Sequence, residues 1–423
     1  MFLSFARRPK TVRLWAGAAS VSALALGATA LYLSAAKSIP AVNPHTVAAD
    51  PSVQKIAAAN TDFSFRLLKQ LVKTSPTQNV FVSPFSISSA LTLTLNGAGG
   101  ATHKDMAAAL GLSRLTANQT STAYGLLLPS LETPDPSVTL TVANALWVNR
   151  GTTLNPQYQA EAQRFFGAQV QTLDMASPAA PTINGWVSGK THGKIGELVT
   201  PADIAGSAAV LTNAVYFHGK WSEPFEKSGT HPGPFTLASG AKKTLPLMSQ
   251  ESAFDYTETA QFQAVRLPYG QGRVSLYVLL PKHGVTPVQV VSGLSPAAFR
   301  TTLGKMQRAD VALTLPRFRV SCSATLNDPL KALGMGSAFA PGADFAPMGL
   351  HSGFISAVIH KAILEVDEEG TVAAAATAVV MKTSAIRMPE KSIVMRVDHP
   401  FVCLLRDNAT GTLLFTGVIQ DPE

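Results

Sequence analysis

Four strand-like runs limit most tightly what this 423-residue chain can fold into: VTLTVANALWVN (138–149), AAVLTNAVYFHG (208–219), AVRLPYGQGRVSLYVLLP (264–281) and VALTLPRFRV (311–320). They are rich in β-branched and aromatic residues, and the third turns back on itself at Gly270-Gln271-Gly272. The C-terminal HPFVCLLRDNATGTLLFTGVI is a further hairpin around Asp407–Gly411. Helical patterns lie before and between these runs without strand–helix–strand alternation. The chain is therefore α+β, rich in antiparallel sheet, and not a doubly wound parallel fold. No repeat and no shift of composition divides it after residue 50, so 51–423 reads as one large domain preceded by a linker over 38–50.

Local signals place the first elements. Pro51 opens a helix with apolar residues at helical spacing through Thr74. NVFVSPFSISSALTLTLNGAGG (79–100) reads as a short strand, a helix and a glycine stop, with Ser83 as N-cap and Pro84 in the first helical position.

Charge argues about export rather than binding. The net charge is +8, but Arg7, Arg8, Lys10, Arg13 and Lys37 all precede the first acidic residue, Asp50, and without them it is +3. No later Lys/Arg cluster carries interleaved aromatics, so nucleic-acid binding is not expected. The basic N-terminus runs into an apolar stretch, Leu14–Leu33, followed by the small residues Ser34-Ala35-Ala36. Residues 1–37 are thus a secretory signal or a retained membrane anchor. Either way the remainder is exported, to the periplasm or the extracellular space.

Catalytic signatures do not appear. The chain has no Gly-x-Ser-x-Gly, no His-Glu-x-x-His and no Cys-x-x-Cys, so an enzyme, a metal site and a cofactor are not expected. GAGGATHK (97–104) faintly resembles a phosphate loop but lacks its Gly-Lys-Ser/Thr ending. Cys322 and Cys403 are the only cysteines; whether they pair is not legible, and Cys403 in FVCLLR reads as a buried small hydrophobe.

One segment carries two signals. VDEEGTVAAAATAVVM (366–381) begins as a strand running out at a glycine, then passes through four alanines to a β-prone tail. From Thr371 to Met381 it has no Pro, no Gly and no charge. As a central strand it would turn Thr371, Ala373, Ala375, Thr377, Val379 and Met381 to one face. It is suited to be a loop first and a strand later.

Several longer stretches, in order, carry a resemblance. NVFVSPFSISSALTLTLNGAGGATHKDM, INGWVSGKTHGKI, LTNAVYFHGKWSEPF, LPRFRV, VIHKAILEVDEEGTVAAAATAVV and DHPFVCLLRDNATGTLLFTGVIQDP are similar to successive signatures of the serpin (serine protease inhibitor) family. The chain resembles a bacterial-type exported member. The resemblance implies a single domain with three mainly antiparallel sheets, about nine helices and an exposed reactive loop over about 368–396. It also implies a mechanism. A serine protease attacks the loop, and the cleaved loop then inserts as a new central strand and traps the acyl-enzyme.

The family's functional positions map residue by residue. The hinge is Glu368, Glu369, Gly370, Thr371, Ala373, Ala374, Ala375, Ala376 and Thr377; Val372 departs from the Glu that many members carry. A shutter beneath the parting strands is Ser83, Ser86, Asn213 and His360, and Trp221 marks the breach where insertion starts. Asn184 and Lys194 carry a fold-defining role. Counting forward from Glu368 puts the reactive bond at Ser384–Ala385, which suits an elastase- or subtilisin-like protease. Counting back from DHPF puts it at Arg387–Met388, which suits a trypsin-like one. The implied partner is the target protease, met by a monomer with no cofactor. A non-inhibitory storage or chaperone-like relative, and an inhibitor of papain-like cysteine proteases, are the alternatives.

Overall fold

A computed structural model describes residues 44–132, 134–175, 179–351, 353–371 and 392–422. In chain order its strands are β1 (Val80–Val82), β2 (Val138–Asn149), β3 (Gln169–Leu173), β4 (Ala209–Lys220), β5 (His231–Thr236), β6 (Lys242–Glu258), β7 (Phe262–Tyr269) and β8 (Val274–Pro281). There follow β9 (Gln307–Pro316), β10 (Phe318–Thr325), β11 (Ile355–Val366), β12 (Gly370–Thr371), β13 (Ile393–Arg396), β14 (Phe401–Asp407) and β15 (Leu413–Ile419). Eleven α-helices lie among the described residues, against about nine expected, because short turns such as Pro201–Ile204 and Asn327–Leu330 add to the longer ones.

The strands form two hydrogen-bonded sheets rather than three. One is six-stranded, ordered β10-β11-β4-β2-β3 with β12 beside β4. The other is nine-stranded, ordered β1-β15-β14-β8-β7-β6-β9-β13 with β5 on β6. The expected second and third sheets are continuous because β6 is 17 residues long. Its first part pairs with β5 and its last part with β7, while β9 follows it from Leu247 to Tyr256. Pairing is antiparallel except at β11–β4, β2–β3 and β13–β9. Pro316 ends β9 in the larger sheet, and Phe318 opens β10 in the smaller. Arg317 is thus the step between sheets, and LPRFRV is two strands.

Helix Pro51–Thr74 is N-capped by Asp50, whose carboxylate accepts from Ser52 N and Val53 N at 2.8 and 3.1 Å. Part of the stretch read as a linker is ordered: Pro44–Ala49 is a helix and Val47 is buried. Helix Pro84–Asn96 is capped by Ser83 and is buried through Leu95, which suits its position in the core between the sheets and neighbouring helices. Helix Ala179–Lys190 lies on the outer face of the six-stranded sheet. There Ile183 and Val187 pack with Ala143, Trp147, Val210, Ala214, Ile359 and Ile363. Among the described residues no helix is long and apolar enough to cross a membrane.

Candidate functional site at the seam of the six-stranded sheet

The centre of the six-stranded sheet is a parallel pair, β11 on β4. It runs from Ile355↔Ala209 to Ile363↔Tyr216 and stops. The last three residues of β11, Leu364–Val366, pair only with β10. In the gap so opened lies β12, antiparallel to β4, with Gly370 opposite Lys220 and Thr371 opposite Gly219. The strand expected to run out at Gly370 therefore ends earlier, at Val366, and the chain has already reversed into the seam.

The reversal is built from the acidic residues. Asp367 Oδ1 accepts from Glu369 N at 2.9 Å and from Gly370 N at 3.0 Å, an Asx turn. Burial raises the Asp367 pKa, and those two amide bonds offset part of the rise. Glu368 is buried, where Thr230 Oγ1 donates to it at 2.8 Å and Arg317 stands at 3.9 Å. Glu369 pairs with Lys227 at 2.6 Å, which raises the lysine's pKa. Gly370 has φ +146°, and a Cβ there would stand 2.1 Å from the Gly219 carbonyl oxygen. Only glycine fits.

Trp221 holds the turn from beside it. Its indole N–H donates to Asp367 O at 2.8 Å and its backbone N–H to Glu369 O at 3.0 Å. Its ring stacks on Tyr269 with centroids 4.2 Å apart. The Tyr269 hydroxyl in turn meets Thr371 Oγ1 at 2.9 Å, so the Thr371 side chain faces the interior.

Lower on the same seam lies a buried polar row. His360 of β11 is directly opposite Asn213 of β4, which is opposite Asn144 of β2. Ser83 N–H donates to His360 Nε2 at 3.1 Å, so the ring proton is on Nδ1, which donates to Asn213 Oδ1 at 2.5 Å. The Asn213 amide donates to Ser86 Oγ and, at 2.5 Å, to Asn144 Oδ1. Asn144 passes the chain on to Ser89 Oγ at 3.0 Å. Complete burial pushes the His360 pKa down to about 3, so the ring is neutral.

The fold thus gathers Ser83, Ser86, Asn213 and His360 into one cluster, and Glu368, Glu369, Gly370, Thr371 and Trp221 into another. Ala373, Ala374, Ala375, Ala376 and Thr377 lie outside the described residues, as do both candidate bonds, Ser384–Ala385 and Arg387–Met388. Asn144, Ser89, Thr230, Lys227 and Tyr269 join the clusters without a sequence signal that singles them out. Arg317 was visible only as part of LPRFRV. At the glycine-rich GAGGATHK the Asp344 carboxylate lies against Gly99, at the mouth of helix Gly100–Ala109. That mouth already carries a negative group. Cys322 and Cys403 are not joined by a disulfide. Among the described residues no His/Cys/Asp/Glu group could hold a metal.

The six-stranded sheet is thus seamed at its centre, with β12 lying beside β4 where β11 has parted from it. The family model for serpins (serine protease inhibitors) matches residues 58–422. The chain belongs to the serpin family. It is similar to leukocyte elastase inhibitor A of Mus musculus, 34% identical over 384 residues that make up 88% of this chain and all of that one. Among solved structures it is similar to the thermophilic serpin tengpin in the native state, with a TM-score of 0.80 and 26% identity over 88% of this chain and 95% of that one. Human thyroxine-binding globulin with its hormone is as close, at a TM-score of 0.80 and 25% identity over 88% and 99%.

Proposed function

We propose that this protein is a suicide-substrate inhibitor of serine proteases and not an enzyme, and that the loop, once cleaved, enters the sheet between β4 and β11. One observation carries the reading. The antiparallel register begun at Gly370↔Lys220 and Thr371↔Gly219, if continued, sets Met381 opposite Ala209, the first residue of β4. The slot and the uncharged, proline-free run Thr371–Met381 are therefore equal in length, and the first charge, Lys382, arrives where the strand begins.

The faces match as well. Residues 371, 373, 375, 377, 379 and 381 would turn inward with Thr371, and Thr377 would come opposite Asn213 in the buried polar row. On the outer face Ala374, Ala376 and Ala378 would slide beneath the helix Ala179–Lys190, where only small side chains pass without forcing it away. Insertion replaces one parallel ladder by two antiparallel ones, a gain of roughly ten hydrogen bonds at about 1 kcal/mol net each. That is of the order of a whole domain's stability, enough to deform a tethered protease.

The thyroxine-binding relative has the same fold, so the fold alone does not decide between inhibition and carriage; the seam and its matching segment favour inhibition. The elastase-inhibitor relatives and the small Ser384 favour an elastase- or subtilisin-like target at Ser384–Ala385, with export through residues 1–37. The test mixes the protein with elastase-, subtilisin- and trypsin-like proteases. An SDS-resistant complex and a released peptide beginning at Ala385 are expected; a peptide beginning at Met388 moves the bond to Arg387. Ala375→Glu, which puts a charge on the buried face, should be cleaved without forming complex. Cleavage of the parent with no complex at any ratio overturns the reading.

A further inference from the structure

Helix Gly100–Ala109 and the connection after it enclose a cavity that neither the seam nor the hinge uses. Helix Pro84–Asn96 supplies one wall at Leu95, and helix Ala117–Glu132 closes it from the other side. The connection folds back at once around Gly111, at φ +73°. Leu112 N donates to Ala107 O at 2.8 Å and Leu115 N to Leu112 O at 2.9 Å. That turn buries Leu112 and leaves Leu115 half-buried. Both of its ends are pinned. Arg66, on helix Pro51–Thr74, donates to Ala109 O at 2.6 Å, and Thr116 Oγ1 accepts from Gln119 N at 3.2 Å. The walls are therefore in place before any ligand arrives. The cavity measures about 180 Å³. Its floor is Leu95, Ala107, Leu112 and Leu115, and its mouth carries His103 and Lys104, both exposed. Among the described residues no Asp or Glu lines it, and neither basic side chain has an ion-pair partner.

We propose that this cavity binds a small organic anion, a carboxylate carried on a single aromatic ring. Size is the first constraint. An apolar protein cavity of about 150 Å³ holds benzene. One of about 180 Å³ therefore takes one six-membered ring and its carboxylate, and excludes fused rings and long acyl chains. Chemistry is the second. The floor gives a polar ligand nothing to bond, so inorganic phosphate would lose hydration there without replacement. At the mouth Lys104 offers a compact positive charge, and His103 beside it offers a ring N–H. The ligand's charge must then be negative and must stay at the surface while the ring enters. A neutral ring would leave the lysine unused, and a cationic one would be repelled. No residue of the seam, the polar row or the hinge lines the cavity, so the site stands independently of the inhibitory reading.

The experiment titrates the intact protein with sodium benzoate and sodium phenylacetate, followed by saturation-transfer NMR and calorimetry. Benzyl alcohol has the ring without the charge, and inorganic phosphate has the charge without the ring. Saturable binding at one site is expected for the carboxylates, tighter than for either comparison probe. Lys104→Ala should weaken benzoate by roughly two- to five-fold, the size an exposed ion pair carries, and leave benzyl alcohol unchanged. Ala107→Leu extends a side chain into the floor and should weaken both carboxylates by roughly ten-fold or more. Lys305→Ala, at an exposed lysine just past helix Pro296–Gly304, should change nothing. Absence of saturable carboxylate binding overturns the proposal. So does equal affinity for benzyl alcohol and benzoate, which removes the charge from recognition. If Ala107→Leu does not fold, Lys104→Ala on the exposed rim still decides. Benzoate affinity equal to the parent's in that variant puts the ligand elsewhere and overturns the site.

Discussion

Acid should loosen the seam through His360, and the size of the effect can be worked out. In the folded protein burial lowers the ring's pKa from 6.5 to about 3, whereas an unfolded chain returns it to about 6.5. Below pH 6.5 the unfolded state therefore binds a proton that the folded state refuses. The stability tied to the neutral ring is complete above pH 6.5 and is lost progressively as pH falls toward 3. Between pH 7 and pH 5 the loss is about 2 kcal/mol, and the full span is worth about 5 kcal/mol. Protonating Nε2 also turns the acceptor of the Ser83 N–H into a donor, so the charged ring cannot keep that bond. The assay is the urea midpoint of the intact protein, followed by tryptophan fluorescence at several pH values, for the parent and His360→Gln. Glutamine supplies an acceptor and a donor but does not titrate, and the difference between the two proteins isolates the ring from every other group. The parent should lose about 2 kcal/mol more than the variant on going from pH 7 to pH 5. Equal losses would refute the argument, as would a ring proton-exchange profile showing His360 titrating near 6.5 in the folded protein.

Three further outcomes are expected. Gly370→Ala should expel β12 from the seam at about 1–3 kcal/mol, because its φ of +146° and the Gly219 carbonyl exclude a Cβ; amide exchange at Gly219 and Thr371 should rise to loop rates, while Lys220, whose N–H donates to Ser137 O at 3.1 Å, and the lower seam stay protected. Trp221→Phe can keep the stack on Tyr269 but removes the indole donor to Asp367 O and leaves it only the longer bond from Gly370 N at 3.3 Å, lowering stability by about 0.5–1.5 kcal/mol in the same urea assay. Asn213→Ala removes the hub of the polar row and leaves Asn144, Ser86 and His360 each short of a partner; a loss of about 3 kcal/mol or more is expected, larger than for any single exposed ion pair.

Much of the architecture was written locally. The helix Pro51–Thr74, the Ser83-Pro84 cap, the Gly270–Gly272 turn and the strands at 138–149 and 209–220 follow from periodicity, capping chemistry and β-branched runs. Each of these signals acts within a few residues. The joining of the two expected sheets was not legible, because nothing in Lys242–Glu258 says that one strand will serve both. Nor was the helix at Pro44–Ala49, which has no strong propensity and is settled by packing of Val47. The site divides the same way. Gly370 and the alanine run are read from the chain, whereas Thr230, Lys227, Tyr269 and Asn144 are ordinary residues until the fold brings them to the hinge and the polar row.

By itself the sequence determined that a segment of eleven residues, Thr371–Met381, could lie buried as a central strand. Freedom from charge and proline is a property of the segment alone. Only the tertiary structure decided where such a strand could go and how long it must be. The slot is defined by β4 and β11, strands more than a hundred residues apart in the chain. Its end at Ala209, its polar row at Asn213 and its start at Gly219 exist only once long-range pairing has set those strands in register. Local propensity can prepare a strand, but an unfilled place between two distant ones is made by the fold.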